Sequence, residues 1–200
     1  YGIPYHWIPA YDGVRLHQVW YWSWGVRYLA GLEAVLDALE ATQWTSLRDI
    51  GCGDGRFIAE VARRFPESIR EGVDVSQRAI GLARTFAPQE TYRVRDILAE
   101  PPETSADAVT LVEVLEHIPP EHLHAFVDSV AGELAPGGVL VATVPHTNAR
   151  RPPKHYQHFD VEHLTGTLAP RFDIQDVRLM DAPSRVFRYA DKLMGSGRHF

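Results

Sequence analysis

The stretch Asp49-Ile50-Gly51-Cys52-Gly53-Asp54-Gly55 decides the fold. It follows the short run Leu47-Arg48-Asp49-Ile50, which reads as a β-strand, and runs into Arg56–Arg64, which reads as a helix closed by Pro66. Glycines between a strand and a helix allow positive φ and let a ligand approach the backbone closely. The helix that follows aims its free N–H groups and positive dipole end at that ligand. The spacing is G-x-G-x-G, with an acid two residues before the first glycine. The pyrophosphate-binding pattern is G-x-G-x-x-G. An acid beside the loop repels phosphate and suits a cation.

Outward from this loop, strands and helices alternate. Strands are expected at 69–75, 91–94, 108–113, 139–144 and 172–179. Helices are expected at 77–86, 121–134 and 162–168, each closed by a proline or by Pro136-Gly137-Gly138. The strands at 108–113 and 139–144 are almost wholly apolar, as strands buried on both faces of a parallel sheet are. The pattern predicts an α/β fold: a doubly wound, mostly parallel, Rossmann-like sheet. Before it, Val19, Trp22, Val26, Leu29, Leu32, Val35, Leu36 and Leu39 recur at helical steps, predicting a helix from Val14 to about Ala41 in which Gly25 and Gly31 mark a kink. Three segments result: an aromatic-rich N-terminal helical extension or lid over 1–44, the sheet domain over 45–180, and a C-terminal tail or edge element over 181–200. A seventh strand is not evident, since Val186-Phe187-Arg188-Tyr189 is short.

Ligands of such sheets sit at the carboxyl ends of the strands. The second strand ends in Gly72-Val73-Asp74-Val75-Ser76, with Asp74 23 residues after Gly51. A carboxylate there suits ribose hydroxyls, and Ser76 is the better helix cap. The third strand leads to Arg95-Asp96-Ile97. That Asp can accept from the exocyclic amine of adenine while the Ile packs on the ring.

At this point the chain resembles the class I S-adenosylmethionine-dependent methyltransferases. The matching residues are D-I-G-C-G-D-G at 49–55, G-V-D-V-S at 72–76, R-D-I at 95–97, V-E-V-L-E-H-I at 112–118 and L-A-P-G-G-V-L-V-A-T-V-P at 134–145. They fall in the family's order and cover about 45–180. The resemblance implies that Gly51, Cys52, Gly53 and Gly55 lie under the methionine part of S-adenosylmethionine, and that Asp49 orients its amino end. It implies that Asp74, with Val75, binds the ribose, that Asp96 and Ile97 bind adenine, and that the backbone around Glu113 lines the methionine end. The product would be S-adenosylhomocysteine.

Methyl transfer from a sulfonium is an in-line displacement in which the protein chiefly aligns the reactants. A hydroxyl or protonated amine acceptor also needs a base, and histidine is tuned for that near neutrality. Seven of the ten histidines lie between His117 and His163. His117 and His146, each following a strand, are the catalytic candidates. His155 and His158 lie further along the same loops, whereas His122, His124 and His163 fall on helices. Glu113, Glu116 and His117, with His155 or His158, also have the spacing of an oxygen and nitrogen site for Mg²⁺ or Mn²⁺. That pattern resembles the bacterial small-RNA 3′-terminal ribose 2′-O-methyltransferases and the ubiquinone-pathway O-methyltransferases. Because E-V-L-E-H is widespread among small-molecule methyltransferases, no metal is assigned to it from sequence. Tyr11, Trp20, Tyr21, Trp22 and Trp24 can wall a planar or lipid-like acceptor.

Composition narrows the partners. The 200 residues are 45% hydrophobic and 23% charged, as in ordinary globular domains. The net charge of −6 argues against a nucleic-acid partner, which needs clustered cations. The basic stretch Arg150-Arg151-Pro152-Pro153-Lys154 is too short to reverse that. No apolar window is long enough to span a bilayer. One cysteine, Cys52, excludes an internal disulfide and points to a reducing cytoplasm. The expected activity is methyl transfer to a small-molecule acceptor, most readily at oxygen. The alternatives are the metal-dependent RNA-end reaction and an inactive cofactor-binding partner protein. No oligomeric state is assigned.

Overall fold

The computed structural model describes residues 9–11, 16–18 and 22–180, with side chains from residue 28 onward. These fall into two compact units, one spanning 35–177 and the other holding the described residues up to 34 together with 178–180. The expected tail at 181–200 and the lid aromatics Tyr11, Trp20, Tyr21, Trp22 and Trp24 lie outside the described side chains.

In the smaller unit, β1 (Pro9–Tyr11) and β2 (Leu16–Gln18) form an antiparallel pair with Ala10 opposite His17. The helix α1 spans Trp22–Glu40, and its residues from Val35 onward belong to the larger unit. It therefore starts later than the expected Val14. The backbone groups of Leu16–Gln18 are taken by the hairpin, a demand that side-chain spacing does not encode. Neither Gly25 nor Gly31 interrupts α1. No described helix is long and apolar enough to cross a membrane.

In the larger unit, five strands form one parallel sheet: β3 (Ser46–Ile50), β4 (Ile69–Asp74), β5 (Thr91–Val94), β6 (Ala106–Val112) and β7 (Leu134–Thr143). Their order is β5-β4-β3-β6-β7, so the chain reverses direction across the sheet beside β3. The helices are α2 (Arg56–Arg64), α3 (Gln77–Phe86), α4 (Pro120–Glu133) and α5 (Val161–Leu168). Ser76 caps α3 by accepting from the Ala79 N–H, and Asp160 caps α5 by accepting from the His163 N–H. Val109, Leu111 and Leu115 pack with Phe126, Val130 and Phe159 in the core. The stop expected at Pro136-Gly137-Gly138 ends α4 but falls within β7: Leu134 pairs with Ala106, and regular pairing resumes at Val139 opposite Ala108.

Under the sheet a buried charge cluster ties α4 to it. Arg48 Nη1 donates to Glu133 Oε2 at 2.6 Å and its Nε to Glu71 Oε2 at 2.8 Å, while Arg95 Nη2 donates to Glu133 Oε2 at 2.7 Å. One further expectation fails: residues 172–179 do not form a strand. Phe172 and Ile174 pack against the core. Their alternation with polar residues reports one buried side, which irregular chain also satisfies.

Candidate functional site

The carboxyl ends of β3, β4 and β6 meet at the glycine loop. Gly51, Gly53 and Gly55 have φ of 75°, 56° and 78°. L-residues avoid that region, so the turn depends on glycine. The N–H groups of Gly51 and Cys52 both donate to the Val73 carbonyl, at 2.7 and 3.1 Å. A Cβ on Gly51 would lie 2.6 Å from Val114 Cγ2, so the loop also abuts the turn after β6. Cys52 is buried among carboxylates, and burial pushes its thiol far up.

Asp74 is bound on both oxygens by backbone: Oδ2 accepts from the Gly53 N–H at 3.0 Å and Oδ1 from the Ser76 N–H at 2.8 Å. Each oxygen retains a lone pair for a hydroxyl donor. Val75 beside it is 67% exposed. Asp49 is almost wholly buried and accepts from Thr110 Oγ1 at 2.7 Å. Burial lifts its carboxyl to about 7 against the opposing pull of that hydroxyl. Asp96 Oδ1 accepts from the Leu98 N–H at 3.0 Å. Ile97 turns into the core, and its neighbour Leu98 is the exposed apolar side chain. Sequence reasoning singled out neither Leu98 nor Thr110. Thr110 faces Asp49 across the β3–β6 pairing, a register that only the sheet reveals.

Glu113, directly after β6, has φ of 56°, the one described non-glycine residue with positive φ. Such a conformation costs on the order of 1–3 kcal/mol and clusters at functional sites. Its N–H donates to the Thr143 carbonyl at 3.1 Å. The surrounding protein lifts its carboxyl above the usual range, although one side opens to solvent.

The one-turn 3₁₀ segment Leu115–His117 follows. Glu116 is fully buried, and neither side-chain oxygen has a hydrogen-bond partner among the described residues. Burial, then the Glu113 charge, push its carboxyl to about 8. His117 Nδ1 lies 3.1 Å from the Lys154 carbonyl. A carbonyl only accepts, so Nδ1 carries the proton and Nε2 keeps its lone pair, 3.9 Å from Glu116 Oε1. Burial holds this imidazole below its ordinary pKa. His155 Nδ1 lies 2.9 Å from His158 Nε2. Burial and the adjacent His117 and His158 take His155 down to about 4.

The loop carrying these histidines is laced to the β6 turn. The Tyr156 N–H donates to the Glu116 carbonyl at 2.8 Å, and Gln157 Nε2 to the Ile118 carbonyl at 3.1 Å. The Phe159 N–H donates to the Pro145 carbonyl at 3.1 Å. Arg151 of the basic stretch donates to the His155 carbonyl at 3.0 Å and so frames the same loop. One ligand-capable atom each from Glu116, His117 and His155 lie within 4.8 Å of one another. His146 is not of this trio: its Nδ1 accepts from the Asn148 N–H at 3.1 Å, which leaves the proton of the neutral ring on Nε2. His122 and His124 lie on α4, and His163 on α5 stacks on Phe159 at 4.8 Å between ring centroids.

Comparison with known proteins agrees with this architecture. Trans-aconitate 2-methyltransferase of Methylobacterium radiotolerans is 34% identical over 97 residues, 48% of this chain and 36% of that protein. Ubiquinone biosynthesis O-methyltransferase of Alkalilimnicola ehrlichii is 33% identical over 131 residues, 62% of this chain and 50% of that protein. The chain thus spans between about a third and three fifths of the length of these and other curated relatives it matches. Among solved structures, N-methyltransferase NodS of Bradyrhizobium japonicum, in complex with S-adenosylhomocysteine, superposes with a TM-score of 0.60 at 22% identity, over 75% of each chain. The [4+2]-cyclase SpnF superposes at 0.58 and 22% identity, over 70% of this chain and 56% of that one. These two show the fold alone. Residues 28–180 match the family described as "Methyltransferase domain", and with this the chain belongs to the class I S-adenosylmethionine-dependent methyltransferase superfamily.

Proposed function

We propose that this chain transfers a methyl group from S-adenosylmethionine to an oxygen of a small-molecule acceptor. The donor set fits the cofactor. Asp49 is buried beside the loop, where the ammonium end of the cofactor would favour its ionised form, and an ammonium–sulfonium cofactor carries no phosphate. The turn at Gly51, Gly53 and Gly55 needs glycine for its positive φ, and at Gly51 and Gly55 also for the closeness of Val114 and Tyr92. Asp74 would take the ribose hydroxyls and Val75 the sugar edge. Asp96 would take the adenine amine, with Leu98 rather than Ile97 against the ring. Glu113 backbone and Cys52 would border the methionine end. When bound, the cofactor supplies an electrophilic methyl on a good leaving group.

What carries the oxygen reading is the cluster at Glu116, His117 and His155, a neutral imidazole with a free lone pair directly beyond β6. Such a group handles the hydroxyl proton that leaves an oxygen acceptor on methylation. The relatives named for oxygen-methyl transfer and for trans-aconitate support the same class. The fold by itself does not, since one neighbour bearing it is titled a cyclase. A panel of carboxylic acids, phenols, catechols and alcohols, assayed with methyl-labelled cofactor, is expected to yield label on oxygen for at least one class. Tight cofactor binding with no labelled product on any class would instead make this a cofactor-binding protein without turnover.

A further inference from the structure

The segment that folds back onto the β6 turn carries charge that the chemistry above does not use. Between His146 and Phe159 it holds Arg150, Arg151 and Lys154 and no Asp or Glu, in a chain whose net charge is −6. Elsewhere in the larger unit most arginines pair with a carboxylate, as Arg48, Arg70, Arg93 and Arg171 do. Arg150, Arg151 and Lys154 are exposed and make no such pair among the described residues. We propose that Arg151 and Lys154 bind an acidic group of the methyl acceptor, a carboxylate or a phosphate, separate from the oxygen that takes the methyl. The assignment of this group to the acceptor rests on the oxygen-methylation reading; the anion site itself does not.

The backbone holds both cations in place before any ligand arrives. The His155 N–H donates to the Pro152 carbonyl at 3.0 Å, closing a turn with Pro153 and Lys154 at its corners. Proline presets the first corner of such a turn. Just before Arg150, the Ala149 N–H donates to the His146 carbonyl at 2.8 Å and closes a second turn. Arg151 Nε donates to the His155 carbonyl at 3.0 Å. That bond fixes the guanidinium and leaves both Nη groups to fork onto a carboxylate or phosphate. Lys154 is tied through its carbonyl to His117 Nδ1 at 3.1 Å, so its ammonium is free to meet a ligand. The His117 and His155 rings meet edge to face with 4.7 Å between centroids, and each cation is joined to this ring pair by one hydrogen bond. The Lys154 charge is felt by Glu113, Glu116, His117 and His155 alike, which keeps the ammonium close to the candidate base. Few charges oppose these cations. Glu113 faces them from the β6 turn, Glu116 holds its proton to about pH 8, and Asp160 is engaged by the His163 N–H at the start of α5. Two carboxylates against three cations leave this rim net positive. An acid anchored there sets the acceptor against His117, so binding energy at one end is spent on alignment at the other.

The test uses protein saturated with S-adenosylhomocysteine, at constant ionic strength. Succinate, benzoate and phenyl phosphate are titrated beside succinamide, benzamide and phenol, with binding read from the melting temperature. At least one acid is expected to raise the melting temperature where its neutral counterpart does not, and which acid does so separates carboxylate from phosphate. Lys154→Met, which keeps the carbonyl that holds His117, and Arg151→Met are each expected to weaken that binding about tenfold to a hundredfold. Arg171→Gln, which removes a surface cation paired with Asp128, leaves it unchanged. On an acidic acceptor, Lys154→Met should raise KM with kcat nearly kept. Stabilisation by S-adenosylhomocysteine checks that every variant is folded. No acid bound better than its neutral counterpart, or an equal loss in Arg171→Gln, overturns the proposal. Methylation of a neutral acceptor while no acid binds also overturns it and leaves methyl transfer standing. Acids bound through Lys154 and Arg151 with no methylated product from any acceptor keep the anion site and remove the methyltransferase reading instead.

Discussion

The two halves of the site handle negative charge in opposite ways. On the side of β3, β4 and β5, each carboxylate is held by a donor of the fold itself: Asp49 by Thr110, Asp74 by the Gly53 and Ser76 N–H groups, Asp96 by the Leu98 N–H. On the side of β6 and β7, Glu116 is buried with no hydrogen-bond donor among the described residues, and the nearby histidines bond to carbonyls and to one another. The first half is set in place before any ligand arrives. The second holds a carboxyl that burial and the Glu113 charge keep protonated well above the usual carboxylate range. A common scaffold can thus keep a fixed cofactor seat while an adjacent cluster carries the chemistry that differs between acceptors.

The contrast can be broken at several points. The largest effect is expected at His117. Changing it to Gln should lower kcat by about 10²–10⁴-fold while S-adenosylhomocysteine still raises the melting temperature as in the wild type. Loss of both would mean that the halves are one structural unit. Next comes Asp74→Ala, which removes an acceptor for two backbone N–H groups and, on the proposed reading, for the ribose. It should cut the stabilisation by S-adenosylhomocysteine by about 1–3 kcal/mol, measured by thermal shift against ligand concentration. An unchanged shift would refute the ribose assignment.

Glu116 sharpens the comparison through pH. Its carboxyl rises from 4.5 unfolded to about 8 folded, so the folded chain holds a proton that the unfolded chain has released. The stability contributed by the protonated form is complete below about pH 4.5 and is lost as pH climbs toward 8. In metal-free buffer, Glu116→Gln should flatten urea-unfolding stability across this window relative to wild type. A parallel pair of profiles would show that Glu116 ionises freely. The smallest effect is expected at Leu98→Ala, which removes exposed apolar surface from the side proposed for adenine. It should weaken S-adenosylhomocysteine binding about threefold to tenfold by calorimetry, the value of one or two methylene contacts. Ile97, facing the core, should instead affect stability.

The sheet was legible in the sequence because two signals coincide there. Glycines punctuate the end of β3, and nearly continuous apolar runs fall within β6 and β7, the strands that lie beside it and beyond. Where only one signal exists, the reading went astray. Val19 and Trp22 carry a helical spacing, yet the residues just before them pair as β2, because a hairpin is fixed by backbone partners. Phe172 and Ile174 alternate with polar residues as in a strand, as do Val177 and Leu179 one residue out of phase, and the chain there is irregular with the first two on the core. The site divided in the same way. Asp49, Asp74 and Asp96 sit at strand ends whose order the pattern supplies. Glu116 and His117 meet His155 only because the segment after β7 folds back through the Tyr156 and Phe159 backbone bonds, a closure over 38 residues that local spacing does not announce. His146, the second catalytic candidate, stands one strand-end away from the trio, with its acceptor nitrogen occupied by Asn148.

The closeness of β4 and β5 around the loop has a practical consequence. A Cβ on Gly72 would come within 2.7 Å of the Tyr92 ring and 2.9 Å of the Cys52 sulfur, so the thiol is walled in as well as protonated. Maleimides and other electrophiles have little to attack in this 200-residue chain, whose single cysteine it is. A cysteine introduced at an exposed position such as Ile69 would then carry a fluorophore at one defined address.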